Sequence, residues 1–269
     1  MLRPALAMLT DVHLVVVGED RMSAADPVPR EGGPTVRVGA ASHRGGRLDN
    51  EDSYRAGDGV YLVADGMGGH EAGEVASATA VESLGSLTGG TPDEDDVRAA
   101  LRTAHERVRA LPLGGERRPG TTVSGVVLSE RDGLPCWLVL NVGDSRTYRM
   151  VGGVLEQLTT DHSRVAELVA TGFLDPQDVS RHPERHVVTR VLGGGSPDVE
   201  PDVFALPVSP TERIVVCSDG LSEALPDARI QAELRAHPAA QQAADALVAA
   251  ALAVGARDNV TVVVVDVVG

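Results

Sequence analysis

The chain contains no lysine. All 24 of its basic side chains are arginine, set against 39 Asp and Glu, for a formal net charge of −15. That balance excludes proteins that hold nucleic acid by neutralising phosphates across a basic face. It still permits phosphate binding where cations sit between carboxylates and the ligand. Arginine used to the exclusion of lysine reads as codon bias rather than mechanism. Aromatics are only 2 % of the chain, so a core has to be built from Val, Leu and Ala. Of the two cysteines, Cys136 and Cys217, each lies inside an apolar strand-like run, and no spacing resembles a zinc site. Buried free thiols in a cytoplasmic protein are expected. No apolar run approaches the roughly 20 residues needed to span a bilayer, so no membrane span is expected.

What is present begins with a composition shift. Residues 1–34 include a Pro/Gly-rich stretch from Ala24 to Pro34 and read as a poorly ordered arm or linker, with one catalytic domain over 35–269. In that domain β-branched runs bounded by Gly, Asp or Pro predict strands at Val36–Ser42, Val60–Ala64, Thr121–Leu128, Cys136–Val142, Thr147–Val151, Arg213–Cys217 and Val260–Val267. Several are continuous valine runs, the pattern of strands buried on both faces. Helices are predicted over Glu71–Leu84, Ser163–Thr171, Asp227–Ala236 and Ala239–Val254. Another starts from a Thr91 N-cap with Pro92 at its first position, and Val97, Leu101, Ala104 and Val108 share one face. Strands arriving in runs without strict βαβ alternation place the chain in the α+β class, with antiparallel sheets covered by helices. No heptad or exposed apolar helix calls for assembly, so a monomer is expected.

Acidic residues collect beside strand ends: Glu51-Asp52, Asp65-Gly66, Asp144, Asp219-Gly220 and Asp258-Asn259. A carboxylate at a strand end is held by the sheet yet open to solvent, which suits a metal ligand or a catalytic group. Hard divalent ions take such oxygen ligands and keep several waters. Glycine after aspartate lets the backbone carbonyl approach an ion closely. Asp-Gly is also a common turn dipeptide, so spacing alone leaves a metal site and a set of turns about equally supported.

Eight motifs in order decide between them: RLDNED (Arg47–Asp52), VADGMGGHEAGE (Val63–Glu74), GTT (Gly120–Thr122), NVGDSR (Asn141–Arg146), LTTDHS (Leu158–Ser163), TRVLG (Thr189–Gly193), CSDGL (Cys217–Leu221) and DNVTVVVV (Asp258–Val265). Together they resemble the type 2C, metal-dependent serine/threonine protein phosphatases, especially the short bacterial members. The resemblance runs from about Val36 to Val268. It departs at Pro119, where many relatives carry Met, and in the longer N-terminal arm. It implies an αββα sandwich of two antiparallel β-sheets flanked by helices, with Mn²⁺ or Mg²⁺ at one end: two ions in the core site and a third beside them. Carried over by position, Asp65 bridges both ions and the Gly66 carbonyl is a further ligand. Asp219 and Asp258 hold one ion, and Glu51 serves the other. Asp144 joins Asp219 at the third site. Asp52 accepts a hydrogen bond from metal-bound water, and Arg47 grips the substrate phosphate.

The implied activity is hydrolysis of phosphoserine and phosphothreonine on proteins by a metal-activated water, opposing Ser/Thr kinases. The expected partners are phosphorylated proteins, the kinases and their substrates. A bidentate guanidinium suits a phosphate better than an ammonium does, and no Cys-x5-Arg nucleophile loop is present. His70 is the candidate general acid for the leaving alkoxide, with a metal-bound water as the alternative donor; His162 is the other nearby imidazole. Ser163–Val188 resembles the mobile flap of bacterial members and would touch the phosphopeptide. The alternatives are a phosphatase of small metabolites or of a dedicated regulatory phosphoprotein, and a catalytically silent scaffold on the same fold.

Overall fold

The valine runs become the centres of two antiparallel sheets in a computed structural model, which describes residues 16–17, 33–68, 71–112 and 118–268. In chain order the first half comprises β1 (Val16–Val17), β2 (Thr35–His43), β3 (Asp52–Gly57), β4 (Val60–Met67), α1 (Glu71–Leu84) and α2 (Glu94–Arg109). There follow β5 (Gly120–Thr121), β6 (Val123–Arg131), β7 (Leu134–Val142), β8 (Arg146–Val151), β9 (Val154–Gln157) and α3 (Arg164–Ala170). The last part holds β10 (Leu192–Gly193), β11 (Asp202–Pro207), β12 (Arg213–Cys217), α4 (Asp219–Ala224), α5 (Asp227–Ala236), α6 (Ala240–Ala253) and β13 (Val260–Val268). The expectation for residues 1–34 lies mostly outside the described residues; Val16 and Val17 are seen pairing with Tyr54 and Ser53 of β3.

One sheet runs β1-β3-β4-β6-β7-β11, with β5 and β10 attached at β4; the other runs β2-β13-β12-β8-β9. Strand periodicity sorts the side chains into three apolar layers. In β4, Val60, Leu62 and Ala64 face α1 and α2, while Tyr61 and Val63 face the opposite sheet. In β13, Val262 and Val264 pack on α5 and α6, while Val263 and Val265 turn inward to meet Val126, Trp137 and Val139. Each such strand is buried on both faces, which is why it reads as an unbroken apolar run. The layers stack as helix, sheet, sheet, helix, the αββα sandwich. Burying each Val or Leu contributes roughly 1.5–3 kcal/mol, which lets a core with few aromatics suffice.

The start of α2 differs from the expectation. Its N-cap is Asp93, not Thr91: the Asp93 carboxylate accepts from Asp95 N and Asp96 N (2.9 Å each), and Asp96 Oδ2 accepts from Asp93 N at 3.0 Å. That reciprocal capping box uses two acids, Asp93 and Asp96, near the positive end of the helix, a better arrangement than one threonine offers. The face expected for this helix (Val97, Leu101, Ala104, Val108) is fully buried. Strands β3, β9 and β11 carry no apolar alternation and were not expected. In β3 the buried residues include Asp52, Ser53 and Arg55. β9 forms a hairpin with β8 through Gly152 and Gly153, whose φ values of 57° and 79° give the twist a two-residue hairpin turn requires.

Candidate metal and phosphate site

All five acidic clusters lie at one end of the sandwich, because the strands that carry them terminate or begin there. Asp52 and Asp65 are direct cross-strand partners on β3 and β4. Asp144 follows β7, Asp219 follows β12, and Asp258 precedes β13. Hydroxyls stitch the two sheets together beneath them. Asp52 Oδ2, on the first sheet, accepts from Ser218 Oγ (2.8 Å) and Thr261 Oγ1 (2.6 Å) on the second. Thr122 Oγ1 lies 2.8 Å from Ser145 Oγ beside the Asp144 turn. Asp65 is fixed by its backbone: its N–H donates to Thr122 Oγ1 (3.0 Å), and its carbonyl accepts from Thr122 N and Thr121 Oγ1 (2.9 Å each).

The electrostatics are one-sided. Burial, followed by the charges of Asp52, Asp219, Asp258 and Asp144, pushes the Asp65 carboxyl well above the ordinary carboxylate range. Asp219 is raised well above it too, by burial and then by Asp144, Glu223, Asp258 and Asp52. Burial lifts Asp52 to about 7 against its two hydroxyl donors, and lifts Asp144 to about 6 with the help of Asp161. Asp52 Oδ1 and Asp219 Oδ1 are buried with no hydrogen-bond partner among the described residues. Buried acceptors normally have partners, and buried like charges repel. Mutually repelling carboxylates with open oxygen lone pairs are the donor set that divalent cations of the Mg²⁺ or Mn²⁺ type require, so the residues fit such ions. Among the described residues no three carboxylate, imidazole or thiol groups converge as a closed ligand set. Hard cations do not need one, since they complete their shells with backbone carbonyls and water.

Gly66 and Glu51 sit together. Gly66 N donates to Glu51 O at 3.1 Å. A Cβ on Gly66 would overlap the Gly73 carbonyl and lie 2.6 Å from Glu51 O, and one on Gly73 would lie 2.7 Å from the Glu51 carboxyl. Gly66→Ala should therefore cost more than about 3 kcal/mol, because the clash is with backbone that cannot rotate away. Chemical denaturation checks this; a loss below about 1 kcal/mol would show that β4 and α1 can separate.

Arg47 reaches into the site and is engaged there: its Nη2 lies 2.6 Å from Asp258 Oδ2. The pair is half-exposed, and such pairs contribute about 0–1 kcal/mol, so the guanidinium can exchange partners. His162 is not placed to reach a substrate. Its buried ring accepts from Gly143 N at Nδ1 (3.1 Å), and its Nε2 lies 3.2 Å from Asp202 Oδ2. It anchors the Gly143–Asp144 turn instead. His70 lies outside the described residues. The expected flap is closed at its base by a bridge between Ser163 and Val188, and His186 Nδ1 lies 2.8 Å from Glu223 Oε1.

Sequence reasoning missed several contributors. Asn259 is buried and saturated: Nδ2 donates to Arg44 O (3.0 Å) and Asp49 O (2.9 Å), and Oδ1 accepts from Glu51 N (2.8 Å). It ties the Arg47 loop to both Glu51 and Asp258. Asp161, held by Arg146 through both carboxylate oxygens, and Glu223 add negative charge beside Asp144 and Asp219. Asn259 and Asp161 stand inside recognisable motifs. Glu223 carries no sequence signal, being one turn along α4 from Asp219.

Comparison with known proteins agrees with this geometry. The protein phosphatase 2C family profile matches residues 39–257. The serine/threonine phosphatase Stp of Listeria monocytogenes is 33 % identical over 231 residues, covering 82 % of this chain and 88 % of its own length. The crystal structure of the Mycobacterium tuberculosis serine/threonine phosphatase PstP/Ppp superposes with a TM-score of 0.77 at 36 % identity, covering 87 % of this chain and 99 % of that one. A structure of the PstP catalytic domain in complex with two manganese ions gives a TM-score of 0.74 at 35 % identity, with 87 % and 99 % covered.

Proposed function

The chain belongs to the protein phosphatase 2C family and is a metal-dependent serine/threonine protein phosphatase; from that premise we propose which of its residues do the work. The observation that carries the assignment is the set of buried, mutually repelling carboxylates centred on Asp65. Asp65 and the Gly66 carbonyl would hold two Mn²⁺ or Mg²⁺ ions between them. Asp219 and Asp258 would hold one of them, and Glu51 would serve the other. Asp144 with Asp219 would hold a third. When bound, such ions supply Lewis-acid charge and an acidified water at neutral pH.

Arg47 contributes the substrate grip. Its planar fork matches two phosphoryl oxygens, and its present partner, Asp258, is a half-exposed carboxylate that it can leave. Asp52 would take up a proton. Ser218 and Thr261 saturate Oδ2, so Oδ1 is the atom left to accept a proton from the attacking water. In the cation-free protein burial lifts this carboxyl to about 7, and bound cations would draw it down towards the ionised form that can accept a proton. His70 is retained as the proposed donor to the leaving serine or threonine alkoxide.

The partners proposed are Ser/Thr kinases and their substrates, met by a monomer. With both cysteines buried as free thiols, a reducing compartment, the cytoplasm, is the proposed setting. Among the described residues no helix is long and apolar enough to cross a membrane.

The test is phosphate release from a phosphothreonine peptide with Mn²⁺ and then with EDTA. Turnover that appears with the metal and disappears with the chelator supports the reading. A well-folded protein that releases no phosphate from several such peptides would overturn it.

A further inference from the structure

In a chain of net charge −15, three arginines lie on two segments whose backbones adjoin beside Asp258. Arg44 and Arg47 lie on the loop between β2 and β3, and Arg257 immediately precedes Asp258. The two segments are locked together. Asn259 grips the loop at Arg44 O and Asp49 O. A Cβ on Gly45 would overlap the Asp258 carbonyl, and one on Gly46 would lie 3.1 Å from Arg257 O and 3.2 Å from its Cα. Arg257 is therefore a backbone neighbour of the Arg44–Arg47 loop, on a join with no room for even a methyl group. All three arginines are exposed. Arg47 is paired with Asp258, and Arg44 donates to Leu48 O at 3.2 Å. Arg257 makes no hydrogen bond or ion pair among the described residues. Neither does the Asp49 carboxylate on the same loop, so it does not neutralise this rim through contact.

We infer that Arg257, together with Arg44, forms a second anion subsite beside the phosphate-gripping Arg47. The substrates it favours are phosphoproteins carrying a further acidic or phosphorylated side chain close to the phosphoresidue being hydrolysed. The inference rests on the phosphatase reading and deepens it by naming a substrate class. A guanidinium binds carboxylate and phosphoryl oxygens alike through paired N–H donors. An extended peptide advances about 3.3 Å per residue and returns a side chain to the same face every second residue. The second anion is accordingly expected two residues from the phosphoresidue, roughly 7 Å along the chain. At so exposed a rim the preference is modest and weakens with salt.

The experiment uses the full chain with Mn²⁺ and three phosphothreonine peptides. One has neutral flanks, one has Glu two residues away, and one has a non-hydrolysable phosphonate side chain at that position. Wild type should show kcat/KM about 3–10-fold higher for the two anionic peptides at low ionic strength. In Arg257→Ala the anionic-to-neutral ratio should fall towards one, and in Arg257→Glu it should invert. A wild-type ratio of one, or a ratio unchanged in Arg257→Ala, would overturn the subsite. No turnover on any peptide would count against the phosphatase reading instead. Fluorescence anisotropy of the same labelled peptides would then decide the subsite by the same comparison of ratios.

Discussion

Asp65→Asn should lower Mn²⁺-dependent phosphopeptide turnover by roughly 10³-fold or more, the scale seen when a central catalytic group is removed. At the same time it should make the metal-free protein more stable at pH 8. Both effects have one cause. Asp65 is buried among four other carboxylates, and that environment disfavours its charge. Asn keeps the shape and removes the charge. The backbone bonds that hold β4 in place, to Thr121 and Thr122, are untouched. The substitution thus removes a repulsion that is useful only when cations are present, the usual exchange between activity and stability at a functional site. The check is a pair of measurements on one preparation: steady-state rates with Mn²⁺, and thermal melts in EDTA at pH 5 and pH 8. The variant's advantage should be largest at pH 8 and shrink as pH falls, because the raised Asp65 carboxyl takes up a proton more readily than an ordinary carboxylate. In a domain of this size each kcal/mol moves Tm by roughly 2–4 °C. A variant that keeps full turnover would remove Asp65 from the proposed ligand set, and one that melts lower at pH 8 would refute the repulsion argument.

The second large effect is a coupling of stability to pH and metal. Asp52 and Asp144 are raised from an ordinary carboxylate value to about 7 and about 6. A raised acid binds more protons folded than unfolded, so its contribution to stability is fully present below about pH 4 and is lost as pH rises through 6 and 7. EDTA-treated protein should accordingly lose stability between pH 5 and pH 8. At 1.4 kcal/mol per pKa unit the loss is on the order of several kcal/mol, reduced because the groups titrate as one cluster. Mn²⁺ should reverse most of the loss at pH 8 and little of it at pH 5, because binding requires deprotonated ligands and releases their protons. Melting curves across pH with and without Mn²⁺ test this directly, and calorimetry in buffers of different ionisation enthalpy counts the protons. An EDTA-treated protein whose Tm is flat from pH 5 to pH 8 would show that these carboxyls are not perturbed as the structure indicates.

The expected strands all appear, most within a residue or two, because valine runs and Gly or Asp boundaries are local signals. The helix over Asp227–Ala236 falls on its expected bounds for the same reason. β3 escaped notice because its burial is of Asp52, Ser53 and Arg55, side chains that normally mark surface; Asp52 is held inside by Ser218 and Thr261, Ser53 by Ser77 and Arg55 by Asp58. β11 escaped because it is a short edge strand with prolines at its ends, identified only by its pairing with β7. Thr91 was a plausible cap on composition, yet the choice among neighbouring Thr and Asp residues depends on which side chain reaches two free N–H groups, and that is a matter of geometry.

By itself, the sequence determined the family, the order of the motifs and which carboxylates stand beside strand ends, since each of these is carried by residues next to one another in the chain. Only the tertiary structure decided how those residues act on one another. It set Asp52 between Ser218 and Thr261, some 166 and 209 residues away, across the gap between the two sheets. It turned His162 inward as an anchor, brought Arg47 to Asp258, and used Asn259 to place Arg257 against the Arg44–Arg47 loop. The reason is physical: periodicity records which face of an element is buried, whereas sheet pairing and side-chain hydrogen bonds join residues far apart in the chain that share no local pattern.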